Sequence, residues 1–370
     1  MGPPDAVGLV SAPAPASRAA WPVPIIAQDP RFHGAPGASR LELGMELRSL
    51  GKTHLKVTAI GLGLAAIGRP AYINLGRRDD LPPGRTLDEM EARAHELLDE
   101  AFRLGVRYFD AARSYGLAEQ FLSSWLSRRD PLPEPVTCGS KWGYAYVGAW
   151  RMDAPVHEVK DHSLATLQRQ YRESSELLGE HLQLYEVHSA TLESGILENR
   201  EVLSELLRLS RSGLTIGLSV SGPRQAEVIH RALAVEVDGR NPFSVVQATW
   251  NLLETSAGAA LGEAHEAGWG VLVKEGLANG RLLVAGEPRL DPLRRVASAH
   301  GLGADAIALG AILAQPWADV ALSGAVTVGQ LRSNTEAATL RISPEEQAPL
   351  SQLAQPASEY WSERQALPWS

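Results

Sequence analysis

From Val57 onward the chain alternates short apolar runs with longer stretches in which apolar residues recur every three or four positions. The runs Val57–Gly63, Val106–Ala111, Val136–Lys141, Leu182–His188, Thr215–Val220, Phe243–Thr249, Gly270–Lys274 and Asp319–Gly324 read as strands. They are apolar nearly throughout, as strands of a parallel sheet covered on both faces are. Between them, Leu87, Met90, Ala94, Leu97, Ala101 and Leu104 form one stripe and predict a helix over Thr86–Leu104. Val156, Val159, Leu164, Leu167, Tyr171 and Leu178 predict a second helix, and Ala226, Ile229 and Leu233 a third. Repeated strand–helix units of this kind close into a (β/α)8 TIM barrel. The expected architecture is a single barrel domain over 45–370 with a short N-terminal β-hairpin.

A doubly wound sheet is the competing architecture, suggested by Gly61, Gly63 and Gly68. A dinucleotide fingerprint needs closer glycine spacing, a helix opening at once and an acidic residue about 20 positions on. Here Gly68 runs into Arg69-Pro70 and a loop rich in Gly, Pro and Arg that reaches Arg85. The glycines are expected to let backbone approach a ligand at the end of the first strand. Residues 1–44 are rich in Ala, Pro and Gly, carry neither period and lack the basic start and apolar run of a signal peptide. They read as a disordered extension, or as chain upstream of a true start at Met45.

Composition narrows the function classes. With 44% hydrophobic and 21% charged residues the chain has an ordinary globular make-up. A formal charge of -8 argues against a nucleic-acid partner. The single cysteine, Cys138, excludes a disulfide framework and a CxxC metal site, and a reducing, cytoplasmic setting is expected. No run reaches the roughly 18 apolar residues of a membrane helix, since Ala304–Val328 is interrupted by Asp305, Gln315, Pro316 and Asp319. The expected partner is therefore a small molecule.

Function on a parallel barrel sits at the C-terminal strand ends. Three successive apolar runs end there in Asp110, Lys141 and His188, and Tyr115 follows Asp110 in the next loop. Singly, each has an ordinary structural reading: a helix cap, a rim charge, a core histidine. Together, at equivalent positions, they point to chemistry. A tyrosine hydroxyl can pass a proton to or from an oxygen, and a nearby ammonium favours its phenolate. A carboxylate holds the ammonium in place, and a histidine orients the reacting oxygen or relays a proton.

The segment from Phe109 to Glu119 (Phe-Asp-Ala-Ala-Arg-Ser-Tyr-Gly-Leu-Ala-Glu) resembles the FDTA-x-x-YG-x-x-E motif of aldo-keto reductases. Ser140-Lys141, and Leu184-Tyr185-Glu186-Val187-His188 after Leu177-Leu178-Gly179, resemble that family's Lys and His motifs. The likeness runs from Leu47 to about Leu340 and includes Leu50-Gly51-Lys52, the Gly-Leu-Gly of the first strand and the Gly324-Ala325-Val326-Thr327 close. It implies a (β/α)8 barrel, an Asp110, Tyr115, Lys141 and His188 tetrad, and NAD(P)(H) extended across the strand ends. The cofactor residues it implies are Gly63, Ser219, Gln247, Lys274, Leu277, Arg281, Gly324, Thr327, Gln330 and Asn334, with no metal.

The likeness has departures. Val220 stands where the family places an amide beside Ser219, with Ser221 a replacement or a helix cap. Lys274-Glu275-Gly276-Leu277 replaces a Tyr-Ser-Pro-Leu segment, so the aromatic stack is missing or comes from elsewhere, Trp250 being one candidate. Lys274 and Arg281 would set positive charge beside a pyrophosphate, or be rim charges paired to Glu275 or Glu287. Gln330 occupies a position often cationic for a 2′-phosphate, and Arg332 should face another side of the helix. NADP(H) is the expected cofactor and NAD(H) the alternative.

Tyr72, Trp142, Tyr144, Tyr146 and Trp150, with Tyr360, Trp361 and Trp369, are candidates for the substrate wall. His157, His162 and His181 lack metal-ligand companions and read as surface or helix residues. The expected activity is the NAD(P)(H)-dependent interconversion of an aldehyde, ketone or sugar with its alcohol. Its alternatives are an NAD-dependent sugar or alcohol dehydrogenase and a cofactor-binding regulatory subunit. Sequence does not define the oligomeric state.

Overall fold

A computed structural model describes residues 45–369; the extension expected over 1–44 lies outside the described residues. Eight parallel strands form a closed barrel. In chain order they are β1 (Ile60–Gly63), β2 (Tyr108–Asp110), β3 (Thr137–Trp142), β4 (Leu182–Ala190), β5 (Thr215–Val220), β6 (Val245–Thr249), β7 (Gly270–Lys274) and β8 (Val320–Ser323). Each pairs with its chain neighbour, and β8 closes on β1 through Ala321 beside Ile60 and Ser323 beside Leu62. This is the (β/α)8 TIM barrel that the apolar runs predict; each barrel strand overlaps a predicted run, with β3 running one residue beyond its run, to Trp142, and β4 two beyond, to Ala190.

The first run divides. Lys56–Val57 pairs antiparallel with Arg48–Ser49, and the barrel strand starts only at Ile60. Both pieces are apolar because both are buried, Ile60 and Leu62 in the main core and Val57 in a separate cluster with the hairpin. Leu50, Leu55 and Val57 of the hairpin meet Tyr108, Leu184, Val245, Leu272, Val320 and Leu322 inside the barrel. The hairpin thus plugs the N-terminal end of the barrel, opposite the end where loops carry function.

The helix predicted over Thr86–Leu104 is α1 (Leu87–Arg103), opened by a reciprocal capping box between Thr86 and Glu89. Met90, Ala94, Leu97, Leu98 and Ala101 are its buried stripe. The second predicted helix is shorter than its stripe. Ser163 caps α2 (Leu164–Leu178) by accepting from the Thr166 amide. Val156 and Val159 lie upstream and are exposed. Val159 belongs to a small antiparallel hairpin, Tyr144–Tyr146 with Glu158–Lys160, that stands over the barrel mouth. The third predicted helix is α3 (Gln225–Leu233), with Val228, Ile229 and Ala232 inward. Cys138 is fully buried on β3, and burial pushes its thiol up to about 12. Among the described residues no single helix is long and apolar enough to cross a membrane.

Candidate active site

The barrel mouth opens into a cavity of about 530 Å³, within the range of small-molecule sites. Asp110, Tyr115 and His188 line it. Lys141 lies beneath them with no solvent exposure. The sequence places these side chains together because each stands near the C-terminal end of a parallel strand, or in the loop after it, at the same rim.

Lys141 Nζ donates to Asp110 Oδ2 at 2.5 Å and to the Ala111 carbonyl at 2.9 Å. It sits 5.0 Å from the centroid of the Tyr115 ring. The Tyr115 and His188 rings meet edge to face at 5.4 Å. His188 Nδ1 lies 3.3 Å from Ser114 Oγ, and His162 Nε2 donates to the His188 carbonyl at 2.9 Å. The Tyr115 hydroxyl has no hydrogen-bond partner among the described residues, which leaves it for a ligand.

Electrostatics assign protonation states. Burial holds the Tyr115 hydroxyl well above its ordinary range, with Asp110 and Tyr72 adding to the rise and Arg69 opposing it. The lowering by an ammonium that the sequence suggests does not prevail, because Lys141 is engaged by Asp110. Tyr115 is therefore a neutral acid at physiological pH. Burial, with Lys141, Lys274, Arg69 and His162 nearby, drives the His188 imidazole well below its ordinary value, so it is uncharged.

A second carboxyl lies in this network. Glu186 is fully buried, 3.9 Å from Lys141 Nζ. Gln247 Nε2 bridges Asp110 Oδ1 at 3.0 Å and Glu186 Oε2 at 3.1 Å. Glu186 Oε1 has no partner among the described residues. Burial and the Asp110 charge push Glu186 up, against Lys141 and Lys274, to about 8. Sequence reading passed over Glu186 because an acid inside an apolar run carries no period of its own.

The residues expected to hold a cofactor divide in two. Gly63, Gln247, Lys274, Leu277, Gly324, Gln330 and Asn334 line the cavity. Ser219, Arg281 and Thr327 are absent from its described lining. Ser219 Oγ accepts from the Ser189 amide inside the barrel wall. Ser221 takes the exposed place instead and receives Lys274 Nζ at 3.1 Å. Arg281 pairs with Glu363 and covers the Tyr360 ring, so it is a clamp on the C-terminal helix. Thr327 caps Val328–Thr335 in a capping box with Gln330. Of the first-strand glycines, Gly63 reaches the cavity, whereas a Cβ at Gly68 would lie 2.3 Å from the Tyr115 carbonyl. Gly68 thus lets the loop after β1 touch the loop that carries Tyr115 rather than a ligand.

Three observations fit an extended dinucleotide. Lys274 donates only to hydroxyls, Ser221 and Thr249 (2.9 Å), and has no ion pair among the described residues. Burial lowers it to about 8. Beyond it the chain curls through positive φ at Glu275 (54°), Ala278 (50°), Asn279 (56°) and Gly280 (87°). Asn279, on the cavity lining, has a buried Oδ1 with no partner among the described residues. Glu275 is held to about 2 by the Arg364 guanidinium, which locks the C-terminal helix onto this curl.

The other side of the cavity is lined by Arg69, Tyr72, Tyr144, Glu158, Lys160, Ser189, Thr191 and Trp369. Trp142, Tyr146, Trp150, Tyr360 and Trp361 do not line it; Trp150 donates to the Arg85 carbonyl at 2.8 Å. Trp250 packs on Trp317 and is absent from the described lining of the cavity. His157 and His162, read from sequence as surface or helix residues, are buried beside the site. His157 stacks on Trp369 at 4.2 Å, and the ring of His162 packs on Trp142 at 5.6 Å. Among the described residues no His, Cys, Asp and Glu group is arranged for a metal.

Comparison with known proteins bears on family and fold. The chain is 26% identical over 165 residues to the uncharacterized oxidoreductase YqkF of Bacillus subtilis, covering 44% of this chain and 45% of that protein. It is 28% identical over 182 residues to L-galactose dehydrogenase of Arabidopsis thaliana (48% and 49%). Pyridoxal 4-dehydrogenase of Microbacterium luteolum is 29% identical over 154 residues (36% and 40%). The chain thus spans about half, or less, of the length of the curated relatives it matches. The fold is shared with aldo-keto reductase AKR11C1 of Bacillus halodurans in its holo form, at a TM-score of 0.64, 23% identity and coverage of 85% and 97%. A Pseudomonas aeruginosa chain described as an aldo-keto reductase matches at 0.56 and 27%, over 79% and 93%. The model of the aldo/keto reductase family matches residues 60–355, and the chain belongs to that family.

Proposed function

We propose that this protein is an NAD(P)(H)-dependent oxidoreductase that interconverts the carbonyl group of a small molecule with its alcohol, using Tyr115 as general acid and base. The observation that carries the reading is a neutral Tyr115 hydroxyl, without a hydrogen-bond partner among the described residues, between an uncharged His188 and the buried Lys141–Asp110 pair. Gly63, Ser221, Gln247, Lys274, Leu277, Gly324, Gln330 and Asn334 would hold the cofactor, which when bound supplies or accepts the hydride.

In reduction, the carbonyl carbon gains the hydride and the oxygen takes the Tyr115 proton, giving an alcohol and a phenolate. Lys141, 5.0 Å from that ring, stabilises the phenolate as it forms. Solvent then returns the proton. His188, uncharged, can donate one hydrogen bond to the reacting oxygen without competing as an acid. Oxidation runs the same steps backwards. Acid–base assistance of this kind is worth about 10²–10⁴ in rate.

The substrate wall combines ring faces (Tyr72, Tyr144, Trp369) with Glu158, Lys160, Ser189 and Thr191. That mixture suits a compact hydroxylated ring, and two relatives are named as dehydrogenases of a sugar and of pyridoxal. These names favour the oxidative direction as a second reading. The test is a panel of aldehydes, ketones, sugars and alcohols followed by nicotinamide absorbance in both directions. Turnover that disappears in Tyr115→Phe supports the proposal; tight cofactor binding without turnover on any compound favours a regulatory role.

A further inference from the structure

A dinucleotide whose reacting end faces Tyr115 must lay its other end along the rest of the cavity, toward Gly324, Gln330 and Asn334. That far end is acidic. Asp80, on the single helical turn Arg77–Asp80 of the segment after β1, receives Gln330 Nε2 at 2.7 Å. Asp305, in the first turn of Ala304–Leu313, receives Asn334 Nδ2 at 2.7 Å and Ser333 Oγ at 2.9 Å. Both carboxylates line the cavity, and neither forms an ion pair among the described residues.

The cations that line the cavity belong elsewhere. Arg69 covers Tyr115, Lys160 donates to the Ser189 carbonyl, Lys274 to Ser221, and Arg364 to Glu275. Arg332 is turned away to Glu100 at 2.6 Å. Arg93 donates to the backbone carbonyls of Asp80 and Val326 and pairs with Glu96 at 3.1 Å. Asn279, which also lines this cavity, has a buried Oδ1 without a partner among the described residues.

We infer that this protein selects NAD(H) over NADP(H), with Asp80 as the selecting residue. A ribose hydroxyl can donate to a carboxylate fixed by Gln330, as acidic residues do in dinucleotide sites of other folds. A 2′-phosphate carries about two negative charges and three acceptor oxygens. Beside Asp80 and Asp305 it meets like charge, and the neighbouring Arg93 is already engaged by the Asp80 and Val326 carbonyls and by Glu96. The inference rests on the dinucleotide reading given under the proposed function, and it departs from the NADP(H) expected from sequence.

The test is titration of intrinsic tryptophan fluorescence with NADH and NADPH, using the full chain and its Asp80→Asn and Asp80→Ala variants. The expected result is NADH binding at least about tenfold tighter than NADPH, or about 1.4 kcal/mol. Asp80→Asn, which keeps an acceptor for Gln330, narrows the ratio by about tenfold through tighter NADPH binding. Added salt narrows it in the parent by screening. NADPH binding as tightly as NADH to the parent, or a ratio unchanged in both variants, overturns the inference while leaving the oxidoreductase reading intact. If neither nucleotide binds, the dinucleotide reading fails and the inference with it.

Discussion

Replacing Glu186 by Gln should change how stability depends on pH. Glu186 is fully buried, one carboxylate oxygen has no partner among the described residues, and Lys141, 3.9 Å away, is already bonded to Asp110 at 2.5 Å. Its carboxyl rises from 4.5 to about 8 on folding. Because the folded value is the higher one, protonated Glu186 contributes stability that is complete below pH 4.5 and lost as pH rises through about 8. At about 1.4 kcal/mol per pH unit, that interval amounts to roughly 5 kcal/mol as an order of magnitude. Glutamine keeps an oxygen for Gln247 and cannot ionise. Urea unfolding followed by tryptophan fluorescence, from pH 5 to 8.5, is the assay. Relative to the parent, Glu186→Gln should gain several kcal/mol across that range. A stability difference that stays constant with pH would mean Glu186 is ionised throughout, with Lys141 serving two carboxylates, and would refute the reasoning.

Other outcomes follow from the same network. Tyr115→Phe should lower kcat by about 10²–10⁴ while cofactor affinity, read by fluorescence titration, stays within about twofold. Lys274, lowered to about 8, carries its charge below that pH and loses it above. Dinucleotide affinity should therefore fall between pH 7 and 9 in the parent, and be at least about tenfold weaker and flat with pH in Lys274→Met. Arg364→Ala strands Glu275, only 7% exposed, and should cost about 2–4 kcal/mol at pH 7 in chemical unfolding. Glu275 is held to about 2, so the stabilisation that Arg364 supplies exists above pH 4.5 and fades as pH falls through about 2. The defect should accordingly shrink in acid.

The barrel and its tetrad were legible because both obey local rules. Apolar runs mark strands, and a strand's last residue faces the mouth, so Asp110, Lys141 and His188 could be placed without distances. The short N-terminal hairpin was expected, but its second strand, Lys56–Val57, merged with the first barrel strand into one run because plugging a barrel needs the same residue types as lining one. Ser219 and Arg281 went astray for a different reason. Whether a strand-end side chain faces cavity or wall depends on local register, and β4 shifts register between Val187 and Ala190, beside Ser219. Arg281 found Glu363 far along the chain, a pairing that spacing does not encode. His157 and His162 likewise owe their burial to a loop hairpin and to Trp369, contacts made only on folding.

The lone buried thiol gives this barrel a native timer. Cys138 lies on β3, three residues before Lys141, and is the single cysteine of the chain. A thiol reagent can reach it only when the wall between β2 and β4 parts, because the thiolate is the reactive form and burial suppresses it. When reclosing is slow beside labelling, the rate of modification equals the rate at which the wall opens. That opening can be clocked in the unmodified protein, with cofactor or substrate added, and compared directly with turnover.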